Sequence, residues 1–270
     1  DVGIKGDTIV AVGRLEGRQA ARVIDAAGLA VCPGFIDMHS HSDLFLFSEP
    51  FCEPKLRQGV TTEVLGQDGI SAAPMAAHHV DRWRKHLSGL DGNPPVEWKW
   101  RSFADYLEAL EERGTGPNVA AYVPHGNLRL VTVGAEDRPL SAAEMERVLQ
   151  LLRESLEAGA FGLSTGLVYP PCCYAGSEEL ARLGEVLSRY GSFMVFHQRS
   201  ETAQVLESMG EVLSVAESGG CGVHFSHFKV AGRPNYPKLP RMMEMLEEAR
   251  ARGLDVTYDQ YPYTAGSTML

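Results

Sequence analysis

From residue 31 onward, short apolar runs alternate with amphipathic stretches, and this alternation constrains the fold more than any other feature. The runs are Val31–Ile36, Thr61–Leu65, Val119–Val123, Ala160–Leu163, Ser192–Phe196, Gly222–Phe225 and Leu254–Tyr258. Each has the length of a buried strand. Between them, Ser141–Ala158, Ser177–Arg189 and Pro237–Arg252 carry apolar residues at helical spacing. Ser141 and Glu144 form the signature of a capping box, and Gly159 is a natural stop for the helix they open. Strand–helix alternation of this kind builds parallel βαβ units. Seven strands in series admit two α/β architectures: a doubly wound open sheet, or a (β/α)8 TIM-type barrel lacking strand 8.

Two segments depart from the rhythm. Residues 1–30 contain short β-branched runs, Thr8–Val12 and Arg22–Ile24, separated by glycine and charge. They are expected to form part of a small β-layer appended to the domain of residues 31–270. The stretch from His78 to Arg101, with Trp83, Trp98 and Trp100, is longer and less regular and is expected to be an insertion in one βα connection. His78, His79 and His86 fall within it and are expected to be solvated.

The balance of 25 basic against 35 acidic residues, net −10, argues against a nucleic-acid or anionic-membrane partner. No apolar run approaches the ~18–20 residues of a membrane helix. Five scattered cysteines do not form a disulfide framework, which favours a cytoplasmic setting.

The chemistry is concentrated in histidines at strand ends. In PGFIDMHSHSD, residues 33–43, strand alternation turns His39 and His41 to one side at the end of an apolar run. His197 ends one later run and His227 follows the next, about one βα repeat apart. The inward sets are expected to be Phe193, Val195 and His197 on one strand, and Val223, Phe225, His227 and Lys229 on the other. His224 then has the opposite parity and faces a helix. Asp68, in GQDG after the second strand, adds a carboxylate. Four imidazoles and a carboxylate suit zinc, and also manganese, cobalt or iron.

The motifs PGFIDMHSHSD, RQGVTTEVLGQDGIS, GAFGLSTGLVYPP, FHQRSE, HFSHFKVAG and YDQYPYTAGST, in that order, resemble the amidohydrolase superfamily. More closely, they resemble its N-acyl-D-amino-acid deacylase (D-aminoacylase) branch. The resemblance implies a metal-bearing (β/α)8 barrel with a small β-sandwich built from both chain ends, and so selects the barrel. It implies one or two zinc ions, with His39 and His41 as ligands from strand 1, His197 from strand 5 and His227 from strand 6. Better-known members carry a ligating cysteine in a motif like GNCG where this chain has Asp68. Some other branches bridge two metals through a carboxylated lysine, often on strand 4. Here that strand reads AFGLSTGL, which argues against hydantoinase or dihydroorotase chemistry of that type.

The implied reaction is hydrolysis of the amide of an N-acyl-D-amino acid, a small-molecule substrate, by a metal-activated water. The family's general base is an aspartate on strand 8, which this sequence does not contain, so the catalytic base is unassigned. Neither Asp37 nor Asp259 occupies that position. A substrate carboxylate calls for cationic or hydroxyl donors. Arg199, Lys229, Tyr261 and Ser267 are the candidates, with His125 and Arg129 also near the expected barrel mouth. The resemblance favours Lys229, Tyr261 and Ser267. Ser164 and Thr165 are expected to satisfy local backbone groups, and Cys172–Cys173 to be free thiols. Alternatives are another amidohydrolase activity (dipeptidase, cyclic amidase or deaminase) or a catalytically inactive barrel acting as a scaffold. The chain is also expected to be a piece of a longer protein, cut at both ends, and poorly folded or inactive by itself.

Overall fold

The computed structural model describes residues 1–268. The chain divides into two compact units, Asp1–Phe35 and the remainder from Ile36. The first unit holds an antiparallel hairpin of β1 (Val2–Lys5) and β2 (Thr8–Val12), with Val2 opposite Val12. Gly6, at φ +62°, makes the tight turn between them. Arg22–Ile24 is irregular and exposed rather than a strand.

The second unit follows the βα rhythm. In chain order come β3 (Phe35–Asp37), α1 (Phe45–Ser48), α2 (Glu53–Leu56), β4 (Val60–Leu65), α3 (Val80–Asp91), α4 (Phe103–Arg113), β5 (Asn118–Ala121) and β6 (Val123–Pro124). They are followed by α5 (His125–Val133), α6 (Ala142–Glu157), β7 (Leu163–Gly166), α7 (Ser177–Arg189), β8 (Phe193–His197), α8 (Val205–Gly219), β9 (Gly222–Phe225), α9 (Leu239–Ala251) and β10 (Val256–Tyr258). One sheet has the order β3-β4-β5 and the other β6-β7-β8-β9-β10. The pairs from β4 to β5 and from β6 through β10 are parallel. β5 and β6 are halves of one strand. On either side of the break, the Tyr122 N–H donates to Leu65 O and the Val123 N–H to Gly162 O, so the chain steps from one sheet to the other. Seven strands therefore lie side by side in sequence order, as in the expected barrel.

Helix α6 shows why the sequence was readable. Ser141 and Glu144 make the reciprocal capping box, and Met145, Val148, Leu149, Leu152 and Leu156 form its buried stripe. The main core lies between strands and helices. A separate cluster of residues in or beside the strands, Val64, Tyr122 and Val195 with Met38, Ala120 and Phe193, contains no helix residue and marks the inner face of the strands.

Three expectations need correction. The fourth strand runs Leu163–Gly166 rather than Ala160–Leu163. The insertion contains a regular helix, α3, and its tryptophans are buried. The Trp83 and Trp100 indole N–H groups donate to Ser71 O and Ala72 O, so the insertion packs onto the segment that follows β4. The parity of β9 is also reversed. Val223 and Phe225 pack with helix residues in the main core, whereas His224 pairs in register with inward-facing Val195.

Candidate metal centre

The centre is assembled around Asp68, in the turn after β4. Its backbone is left-handed, at φ +56°, which is uncommon for a non-glycine residue. The flanking glycines allow this turn. A Cβ on Gly66 would meet Tyr122 O at 2.2 Å, and one on Gly69 would meet Cys172 Sγ at 2.7 Å. Ser164, buried on β7, spans the turn: its hydroxyl accepts from the Gly69 N–H at 3.0 Å and donates to Gly66 O. Asn127 holds the next residues by accepting from the Ser71 N–H and donating to Ser71 O and Pro74 O.

Four imidazoles surround this carboxylate. Asp68 Oδ2 lies 3.5 Å from His39 Nε2 and 3.3 Å from His41 Nε2. Its other oxygen, Oδ1, lies 3.6 Å from His197 Nδ1 and 3.5 Å from His227 Nε2. Asp68 is thus shared by two three-residue groups, one with His39 and His41 and the other with His197 and His227. Within each group the potential ligand atoms all lie within 4.8 Å of one another.

The route by which each histidine arrives differs from strand to strand. His197 is the last residue of β8, as strand alternation requires. β3 ends at Asp37, so His39 and His41 sit on irregular backbone beyond it. Ser40, between them, turns away; its hydroxyl donates to Glu63 at 2.7 Å and accepts from Lys55 at 2.6 Å. His227 departs from strand geometry altogether, at φ +38°. Its N–H donates to Asp259 Oδ1 at 2.6 Å.

The electrostatics suit a cation. Burial disfavours charge on Asp68, but the charge of His39 and the close approach of the His197, His227 and His39 imidazoles outweigh it and hold the carboxyl well below its usual range. Burial likewise opposes charge on His39, yet Asp68, helped by Asp259, raises its imidazole to about 10. Asp68 Oδ1 and His197 Nδ1 are buried without a hydrogen-bond partner. Buried polar atoms of this kind are normally satisfied, and one nitrogen–oxygen donor set that a divalent ion would satisfy fits these residues well.

Two carboxylates beside the centre were not recognised from sequence. Asp259, just beyond β10, accepts from His224 Nε2 at 2.9 Å and lies 3.5 Å from His39 Nδ1. His224 therefore faces Asp259 and Thr257 rather than a helix. Glu201 lies 2.8 Å from His227 Nδ1 and binds Lys229. Asp259 directly follows the end of β10, in YDQYPY, and Glu201 follows the end of β8 by a few residues, in FHQRSE, where strand alternation no longer dictates direction.

The substrate candidates separate clearly. Lys229 Nζ lies 3.0 Å from His227 Nδ1 and 5.5 Å from the centre of the Tyr261 ring. Ser267 is exposed. Arg199 turns away: its guanidinium donates to Glu211, Cys173 O and Ala175 O, which engages every nitrogen. The expectation that it greets a substrate carboxylate is corrected accordingly. His125 and Arg129 are fully buried and both bind Glu179, so they stand behind the site rather than at its mouth. The Ser164 hydroxyl bonds backbone groups of the Asp68 turn, as expected of a backbone-satisfying hydroxyl, whereas Thr165 pairs with the His125 side chain instead.

The sequence pattern of the amidohydrolase family matches residues 22–267. The chain belongs to this family. It is 36% identical to a D-aminoacylase of Alcaligenes xylosoxydans xylosoxydans, over 100% of this chain and 54% of that protein. It is 39% identical to an N-acyl-D-glutamate deacylase of the same organism, again over 100% of this chain and 54% of the relative. The crystal structure of an N-acyl-D-glutamate deacylase from Bordetella bronchiseptica, complexed with zinc and a phosphonate inhibitor, superposes with a TM-score of 0.89 at 34% identity. That match covers 97% of this chain and 54% of the other. The chain spans about half the length of the curated relatives it matches.

Proposed function

We propose that the protein hydrolyses the amide bond of N-acyl-D-amino acids to a carboxylate and a free D-amino acid, using one or two divalent ions, with zinc the leading choice. The observation that carries this reading is the convergence of His39, His41, His197 and His227 on the two oxygens of Asp68. These five residues are the proposed ligands. A divalent ion held there supplies Lewis acidity toward the acyl carbonyl and makes water a stronger nucleophile. The protein residues hold that centre rigidly: Ser164 fixes the Asp68 turn and Asp259 fixes the His227 backbone. Lys229, Tyr261 and Ser267 are the proposed contacts for the substrate, with the Lys229 ammonium matching a carboxylate. The similarity to D-aminoacylase and to the N-acyl-D-glutamate deacylase supports the substrate class.

We also assign residues 1–30 to part of a β-sandwich and residues 31–270 to the hydrolase barrel. Among the described residues no helix is long and apolar enough to cross a membrane. A cytoplasmic location accords with the five cysteines, all free.

Assay of the full-length, zinc-supplied protein on paired N-acetyl-D- and N-acetyl-L-amino acids tests the reading. Turnover of the D series is expected. Turnover of the L series alone, or of both equally, contradicts it.

A further inference from the structure

We propose that Glu201 is a positioning residue that couples the metal ligand His227 to Lys229, the lysine assigned to the substrate. The proposal rests on the metal-site reading above and deepens it. One oxygen of Glu201, Oε1, lies 2.8 Å from His227 Nδ1 and 2.8 Å from Lys229 Nζ; the other, Oε2, lies 2.7 Å from Nζ. The same ammonium donates to His227 O at 3.1 Å. Glu201 is itself anchored, because the Ala231 N–H donates to its carbonyl at 2.6 Å and joins the loop after β8 to the loop after β9.

An ionised carboxylate only accepts hydrogen bonds. Facing Glu201, Nδ1 of His227 carries its hydrogen, and in the neutral ring the lone pair then resides on Nε2. That is the atom 3.5 Å from Asp68 Oδ1. A carboxylate behind a ligating imidazole fixes its tautomer and raises its basicity, and losing such a partner commonly weakens metal affinity about 10–100-fold.

Lys229 gives the arrangement a second consequence. Its ammonium sits 3.0 Å from the same Nδ1. Without Glu201, the charged group left at that nitrogen among the described residues is a donor. The favoured tautomer then reverses: Nδ1 accepts from Lys229, and the ring hydrogen moves to Nε2, where it blocks the metal. Glu201 therefore does two things at once. It keeps Nε2 free for the ion and holds the lysine in place for the substrate.

The test is zinc affinity of the full-length protein, measured by competition with a chromophoric chelator. Glu201→Ala should bind zinc about 10–100-fold more weakly than wild type. Adding Lys229→Met to that variant should recover a large part of the loss, because the donor that reverses the tautomer is gone. A merely structural role for Glu201 yields no such recovery. Unchanged affinity in Glu201→Ala, or a double variant that binds no better than the single one, overturns the proposal. Should Glu201→Ala fail to fold, wild-type protein with 15N-labelled histidine and bound 113Cd decides. Metal coupling at Nε2 of His227, with the Nδ1 hydrogen retained, supports the proposal, and coupling at Nδ1 overturns it. Wild-type protein that binds no metal overturns the metal-site reading itself, and this proposal with it.

Discussion

Asp68 and His227 approach to 3.5 Å, carboxylate to imidazole, and both residues do so from left-handed backbone, at φ +56° and +38°. Such conformations cost on the order of 1–3 kcal/mol each and persist only where surrounding structure enforces them. Here the enforcing contacts are visible. Ser164 grips both ends of the Asp68 turn, and Asp259 accepts from the His227 N–H. Local strain is held in place so that the proposed ligands, which follow β4 and β9, can meet.

Asp68 should therefore be replaceable in shape but not in charge. Asparagine tolerates left-handed backbone, so Asp68→Asn should fold with a near-native melting temperature yet lose most of its zinc. Asp68→Cys restores an anion with a softer donor and should retain metal while shifting preference toward soft ions such as cadmium. Metal content by mass spectrometry, read beside thermal melts, checks both outcomes. Full zinc retention by Asp68→Asn would show that the carboxylate is not a ligand.

Ser164→Ala removes a donor and an acceptor at once. The Gly69 N–H and Gly66 O, both buried, would lose their partner. A buried group left unsatisfied costs about 1–3 kcal/mol, so a clear drop in unfolding free energy by denaturant titration is expected, together with weaker zinc binding. Cysteine at 164 should recover little, because its S–H is a weak donor. Stability equal to wild type would remove Ser164 from the account.

The scaffold and the proposed ligands were legible in the sequence for one shared physical reason: period. Strand and helix periodicities gave the number and order of the seven strands, though the fourth lies three residues later than expected, and the glycine turn exposed Asp68. Periodicity fails where the chain leaves regular geometry. His227 comes close to Asp68 from a left-handed backbone, so counting alternate residues from Val223 named it by the wrong route and sent His224 to the wrong face. Glu201 and Asp259 lie in loops, and their roles depend on contacts across two connections that no local pattern encodes. Arg199 looked free because its acceptors, Glu211 and two carbonyls, are distant in sequence.

Behind the centre, His125 provides a pH handle on stability. Burial lowers its pKa, but hydrogen bonding to Cys172 and Glu179 and their charges outweigh this and raise it to about 9 from an ordinary 6.5. A raised folded value means the stabilisation is complete below about pH 6.5 and is lost as pH rises through about 9. The melting temperature of the full-length protein should fall across that window. In His125→Asn this part of the decline should be absent; an identical pH profile in the variant would refute the assignment.

The most direct test of the central claim is the zinc content of the full-length protein after purification with zinc supplied and removal of loosely held metal. The account predicts at least about one zinc per chain, falling sharply in His197→Ala and Asp68→Ala variants that remain folded, since each removes a ligand from the centre. Wild-type protein without stoichiometric metal, or the same metal content in both variants, would contradict it.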